Sequence, residues 1–375
     1  MRQGENQLKI IDNEFPRNMR VLLRVDFNVP IDAKGNILDS QRITNHLATI
    51  RFLKKKEARI ILVAHLGKPQ GSPAPQLSFL PLLPEIEELL QEKIILQKLE
   101  EYQPQSGITL LENIRFYSGE EKNDSVFSKQ LAQLADIYVN DAFSVSHRTH
   151  SSVVGITQFL PSYAGFAFAH EYNSLSYILH QPKPPVLLII GGKKVSDKLA
   201  VLKHLLSKVD HVLIGGAAAN TFYQALGKNV KQSYTEDAMF PICRQLYQEH
   251  KDKIVLPLDF NEDHNQYLDI GKQTQLLFAH LIEKARTVVW AGPMGKCEDI
   301  HFQDGTLAIL EAIAKPGIMS IVGGGETLAA IQNHPLSTKI TFTSLGGGAM
   351  LEFLAKETLP GIEALMKAEG RGQKY

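Results

Sequence analysis

The chain has 375 residues, with 40 Lys+Arg balanced by 40 Asp+Glu, and is 44% hydrophobic and 21% charged. At roughly 100–200 residues per domain this is a folded protein of two or three domains, and a disordered or fibrous chain is excluded. The zero net charge speaks against a main task of gripping nucleic acid or an anionic membrane, so any basic chemistry must be local.

Strand-like apolar runs occur at 21–25, 60–64, 108–111 and 137–139, then at 186–190, 211–214, 254–256, 287–290, 319–322 and 340–343. Most are uniformly apolar, as strands covered on both faces should be. Amphipathic segments lie between them; Ile43, Leu47, Ile50 and Leu53, for example, are spaced to line one side of a helix. Strands alternating with helices predict parallel sheets in α/β domains. The segment 164–180 reads as a helix, and Gln181-Pro182-Lys183-Pro184-Pro185 after it cannot continue one. The chain therefore divides into two α/β halves of similar size.

Cys243 and Cys297 are too few for a disulfide framework and too far apart for a CxxC motif. The opening MRQGENQLKI has no apolar stretch of the secretory kind, and no apolar run nears the ~20 residues of a spanning helix. A cytoplasmic location and no membrane partner are the expectation.

Ligands of open parallel sheets bind beyond the carboxyl ends of the strands. In the first half those ends are basic and polar: Arg24-Val25-Asp26-Phe27-Asn28, Arg42 at the next helix, His65-Leu66-Gly67-Lys68-Pro69, Glu112-Asn113-Ile114-Arg115-Phe116, and Asn140-Asp141 leading to His147-Arg148-Thr149-His150. A single such cation is most simply a solvated surface residue. A set repeated at strand ends predicts an anion pocket, since arginine forks grip carboxylate and phosphate with paired hydrogen bonds.

In the second half the strand ends are glycine-rich: Gly191-Gly192-Lys193-Lys194-Val195-Ser196-Asp197-Lys198, Gly215-Gly216, Gly292-Pro293-Met294-Gly295, Gly323-Gly324-Gly325-Glu326-Thr327 and Gly346-Gly347-Gly348. One Gly-Gly pair would merely make a tight turn. Five turns of this kind in one half predict phosphate binding on backbone N–H groups and helix N-termini. GxGxxG at a strand end, GxxxxGK[ST], HExxH and GxSxG are all missing, which removes the usual dinucleotide, P-loop, zinc-protease and serine-hydrolase readings.

These motifs occur in the order found in the phosphoglycerate kinases, and the sequence resembles that family over essentially its whole length. The resemblance implies two doubly wound, Rossmann-like parallel-sheet domains joined by a hinge helix. Residues 1–163 would bind 3-phosphoglycerate, 164–181 form the hinge helix, 182–362 bind the nucleotide, and 363–375 pack back on the first domain. It also implies a cytoplasmic monomer that interconverts 1,3-bisphosphoglycerate plus ADP with 3-phosphoglycerate plus ATP, with Mg2+ on the nucleotide.

By the same resemblance, Asp26, Phe27, Asn28, Arg42, His65, Leu66, Gly67, Lys68, Arg115 and Arg148 contact the glycerate substrate. Arg42, Lys194 and Lys198 act on the transferring group. Lys198, Gly215, Gly216, Glu298, Gly324, Gly325, Glu326 and Thr327 hold the nucleotide: Gly215 and Gly216 flank the adenine slot, Glu298 holds the ribose, and Glu326 faces the metal.

The sequence departs from the family pattern at several places. Lys68 stands where Arg is usual, Glu326 where Asp is usual, Ala291 where Asn is usual and Leu345 where Thr is usual. Ser144-Val145-Ser146 replaces a smaller segment, and Gly215-Gly216-Ala217-Ala218-Ala219 a more glycine-rich turn. Two competing readings follow. A non-catalytic descendant would fail to bind nucleotide with magnesium, and a two-domain oxidoreductase would be protected by NAD. Trp290 is expected in the core, Cys297 near the nucleotide cleft without special reactivity, and His46, His204 and His211 as structural or solvated residues.

Overall fold

The computed structural model describes residues 8–32 and 35–368; residues 369–375 of the predicted return segment lie outside it. The chain divides into two compact units, one drawn from residues up to Asn173 and from Thr358 onward, the other from Ser174–Glu357. The expected boundary at 362 falls inside the helix Pro360–Ala368, which belongs wholly to the first unit. That helix docks there because Gly361 lies against Ser146, its N–H 2.8 Å from the Ser146 carbonyl, with no room for a Cβ.

In the first unit, β1 (Arg20–Arg24), β2 (Arg59–Val63), β3 (Ile94–Gln97), β4 (Ile108–Leu111), β5 (Ile137–Asn140) and β6 (Ser162–Ala164) form one sheet in the order β3-β4-β2-β1-β5-β6. All five pairings are parallel. The chain leaves β1 toward β2 and later continues on the other side at β5, so the order reverses between β1 and β5. A crevice opens past the carboxyl ends of such strands. The core on this sheet includes Val21, Leu23, Ile60, Leu62, Leu110 and Val139, together with Phe27 and Leu66 from the strand ends.

The second unit contains β7 (Val186–Ile190), β8 (His211–Ile214), β9 (Ile254–Val255), β10 (Phe260–Asp263), β11 (Gln266–Ile270), β12 (Thr287–Ala291), β13 (Met319–Gly323) and β14 (Phe342–Ser344). Six of these form a parallel sheet in the order β14-β13-β12-β7-β8-β9, and β10 and β11 make a separate antiparallel ribbon. The order reverses between β7 and β12, where Gly191-Gly192 and Gly292 emerge. Trp290 is fully buried in this core, as expected, and its indole N–H donates to the Gly292 carbonyl at 2.7 Å.

Three predicted elements differ. The amphipathic stretch that contains Ile43 and Leu53 is two helices, Gln41–Thr44 and Leu47–Lys55, because His46 at the break turns inward to bond with the strand ends. The helix read from 164 starts at Phe166, since Ser162–Ala164 is an edge strand. The last strand lies at Phe342–Ser344 instead of 340–343, after Thr341 exchanges hydrogen bonds with Ser320.

Candidate functional site

In the first unit, the crevice past β1 and β5 gathers the predicted cations. Asp26 is buried, and its Oδ2 accepts from Arg42 Nη1 at 2.6 Å and from Ser144 Oγ at 2.5 Å. Its other oxygen accepts the Asn28 N–H at 3.1 Å, and Asn28 Oδ1 accepts the Gly67 N–H at 2.8 Å. Asp26 is held by a relay beneath it: its N–H donates to His46 Nε2 at 2.9 Å, and His46 Nδ1 lies 2.7 Å from Asp141 Oδ2. Phe27 and Leu66 are core side chains, so they offer a ligand only their backbone. Lys68 is exposed, just past Gly67, whose φ of 63° needs no side chain.

Arg115 is 1% exposed; its Nη1 donates to the Gly67 carbonyl at 2.7 Å, but its Nη2 is buried with no hydrogen-bond partner. Its Nε is 3.3 Å from Glu121 Oε1, outside hydrogen-bond geometry. Burial, reinforced by Arg148 and Arg24, pushes the Arg115 guanidinium down to about 10. His65 is buried too, and burial followed by Arg24, Arg115 and Arg148 drives its imidazolium well below the ordinary histidine range. Its ring is therefore neutral, with Nδ1 3.3 Å from Arg24 Nη2. This corner carries more positive charge than its own carboxylates compensate.

Sequence reasoning passed over the support under these cations. Arg24 is fully buried; its Nε donates to Ser152 Oγ at 3.0 Å, and Ser152 Oγ donates to Glu120 Oε1 at 2.6 Å. Glu120 is also fully buried: burial would raise its pKa, but His150, Arg24 and Ser152 outweigh that and hold it low. Ser144, one of the departures from the family pattern, turns out to be a donor to Asp26.

In the second unit, the crevice past β7 and β12 is floored by glycine. Gly292 has φ of 96°, and a Cβ there would lie 2.2 Å from the Gly191 carbonyl oxygen. A Cβ on Gly192 would lie 3.3 Å from both Glu326 Oε2 and Lys198 Nζ, so a carboxylate and an ammonium converge over this glycine. Lys198 is 9% exposed; burial lowers its pKa, while Glu326, Asp197 and Glu236 act to raise it. Thr327 is buried and its Oγ1 accepts the Gly292 N–H at 2.8 Å, tying the fourth glycine turn to the third.

A cavity of about 590 Å³ adjoins this point, with Lys198, Gly324, Gly325, Glu326, Thr327 and Ala291 among its lining residues. A second, of about 400 Å³, shares Glu326 and continues along Gly192, Gly216 and Glu298. Gly215 lies beneath that wall, covered by the Met294 sulfur. The Lys194 side chain is exposed and, among the described residues, lines neither cavity; its carbonyl accepts from Lys198 Nζ at 3.4 Å. Cys297 is half-buried, with Sγ 3.0 Å from Thr306 Oγ1, and burial raises its thiol pKa.

Two open parallel sheets, each with its polar and glycine-rich residues gathered where the strand order reverses, define an α/β protein of the doubly wound class. The family model for phosphoglycerate kinase matches residues 11–357. Phosphoglycerate kinase of Coprothermobacter proteolyticus is 42% identical over 96% of this chain and 99% of its own length, and that of Finegoldia magna 41% over 93% and 96%. Among solved structures, the phosphoglycerate kinase of Coxiella burnetii superposes with a TM-score of 0.86 at 33% identity, covering 96% of this chain and 99% of that one. The chain belongs to the phosphoglycerate kinase family.

Proposed function

We propose that this kinase reversibly transfers a phosphoryl group from 1,3-bisphosphoglycerate to ADP, giving 3-phosphoglycerate and ATP, with Mg2+ on the nucleotide. The observation that carries the reading is the meeting of Lys198 Nζ and Glu326 Oε2 over Gly192, at the reversal of a glycine-floored sheet. A buried ammonium beside backbone N–H groups suits a phosphoryl group whose charge lies on its equatorial oxygens.

In the ATP-consuming direction, a carboxylate oxygen of 3-phosphoglycerate attacks the γ-phosphorus, and the bond to the β-phosphate oxygen of ADP breaks. The attacking oxygen is already ionised, so no general base is assigned. Arg115, His65 and Arg148 hold the glycerate phosphate and carboxylate, Asp26 and Asn28 its hydroxyl, and Gly67 and Lys68 close the rim, with Phe27 and Leu66 contributing backbone. Arg42, paired with Asp26, and Lys198 compensate charge on the moving group; Lys194 adds a third cation. Gly324, Gly325 and Thr327 present the phosphate turn, Glu298 the ribose acceptor, and Gly216 the floor of the base slot over Gly215.

Among the described residues no three His, Cys, Asp or Glu side chains gather to cage a cation. Glu326 offers one carboxylate, which fits magnesium, an ion commonly held by one or two carboxylates plus substrate phosphates. When bound, the ion would neutralise phosphate charge next to Glu326. Closure of the two units about the helix Phe166–His180 would exclude water, to which an acyl phosphate is vulnerable. Enzyme of this kind is expected in the cytoplasm as a monomer.

The test is ATP plus 3-phosphoglycerate with magnesium, coupled to NADH oxidation by glyceraldehyde-3-phosphate dehydrogenase, with Lys198→Ala alongside. Turnover that collapses in the variant supports the reading. A folded wild type that binds 3-phosphoglycerate but shows no turnover refutes it in favour of a binding protein.

A further inference from the structure

We propose that Asn220 reads the nucleotide base and selects a 6-amino purine over a 6-oxo purine. The inference rests on the nucleotide reading above and adds to it the discrimination among bases.

Asn220 lies one turn along the helix Gly216–Ala225 from Gly216, so both face the cavity of about 400 Å³. Ala217, Tyr234, Tyr267 and Leu268 give the cavity an apolar wall, with Lys193, Lys296 and Glu298 also lining it. Tyr267 is fixed by stacking on Phe260, with ring centroids 4.3 Å apart and planes 6° from parallel. Such a slot suits a planar ring.

Asn220 is 1% exposed. Its Nδ2 donates to the Tyr267 carbonyl at 3.3 Å, while its Oδ1 is buried with no hydrogen-bond partner. A buried acceptor left unmet is costly, and native structures tolerate few of them without a reason. The Tyr267 carbonyl also fixes which way the amide points. Flipping Asn220 would set Oδ1 against that carbonyl, acceptor facing acceptor. The group left to meet a ligand is therefore an acceptor, and it calls for a donor. The 6-amino group of adenine donates there, whereas the 6-oxo group of hypoxanthine or guanine presents another acceptor and is repelled.

The experiment compares kcat/KM for MgATP and for MgITP, which carries a 6-oxo in place of the 6-amino group, using the full-length protein and Asn220→Leu. The wild type is expected to favour ATP by roughly 10- to 100-fold. In Asn220→Leu the preference should fall toward unity through loss with ATP. Equal kcat/KM values in the wild type overturn the proposal whether or not the variant folds, and so does a variant that keeps the full preference. Calorimetric binding of ADP and IDP without glycerate substrate separates the two readings. Binding that favours ADP through Asn220, without turnover, sinks the kinase reading alone. Turnover with both nucleotides at equal efficiency sinks base selection alone, and failure to bind either sinks both.

Discussion

Arg115→Met should leave the ligand-free protein about as stable as it is and remove most of its stabilisation by 3-phosphoglycerate. The guanidinium is 1% exposed, yet its side chain makes one hydrogen bond, from Nη1 to the Gly67 carbonyl at 2.7 Å. Its Nη2 is unpartnered, Glu121 beside its Nε is 40% exposed, and its other charged neighbours include Arg24 and Arg148. Removing it forfeits about 2 kcal/mol for that charge-assisted bond and relieves a buried charge whose desolvation is poorly offset. The two nearly cancel, so the variant should unfold within about 1 kcal/mol of wild type. Ligand binding is another matter. One or two charge-assisted bonds from Nη2 are worth about 2–4 kcal/mol, so Kd for 3-phosphoglycerate should rise roughly 30- to 1,000-fold. At a hundredfold excess over the wild-type Kd, the ligand stabilises wild type by about 2.7 kcal/mol, or roughly 5–10 °C for a unit of this size. The variant should keep at most about a third of that shift. Thermal unfolding with and without 3-phosphoglycerate, joined to KM for that substrate, decides it. A variant that loses several kcal/mol without ligand and still shifts with it would mean that Arg115 is a structural residue and the anion binds elsewhere.

Lys198→Ala should lower kcat by about 10²–10³-fold while KM for ATP changes far less; equal losses in both would place Lys198 in ground-state binding. Folded His65 is held neutral by burial and by Arg24, Arg115 and Arg148, whereas in the unfolded chain it takes up a proton near pH 6.5. The unfolded state then binds more protons, so stability is full above about pH 6.5 and declines as pH falls below it. Urea midpoints at pH 7.5 and 5.5 should therefore differ less in His65→Gln than in wild type, and an identical pH response would refute a neutral buried ring. Gly292→Ala should destabilise by more than about 2 kcal/mol, because φ is 96° and the new Cβ would meet the Gly191 carbonyl at 2.2 Å. A wild-type melting temperature for that variant would show that the turn can relax.

The alternation of apolar runs made both sheets legible, because strands covered by helices on both faces have nowhere to put a polar residue. What escaped was short or marginal. Ile94–Gln97 and Ser162–Ala164 are edge strands of four and three residues, and the ribbon Phe260–Asp263 with Gln266–Ile270 is partly polar and exposed. Motif positions marked the residues at strand ends, whose roles depend on which chain segment they follow. Arg24, Glu120 and Asn220 were invisible as functional residues for a different reason: their character comes from burial. In the sequence Arg24 is one more cation beside a strand, and Asn220 one more polar residue in an alanine-rich helix. In the fold Arg24 is 0% exposed and stands against a fully buried carboxylate, and Asn220 keeps a carbonyl oxygen that nothing satisfies. The same holds for Arg115, which the motif did mark. Its position announced an anion site, but only the unpartnered Nη2 says that the protein without ligand carries an uncompensated charge, so that binding and stability must move together at that residue.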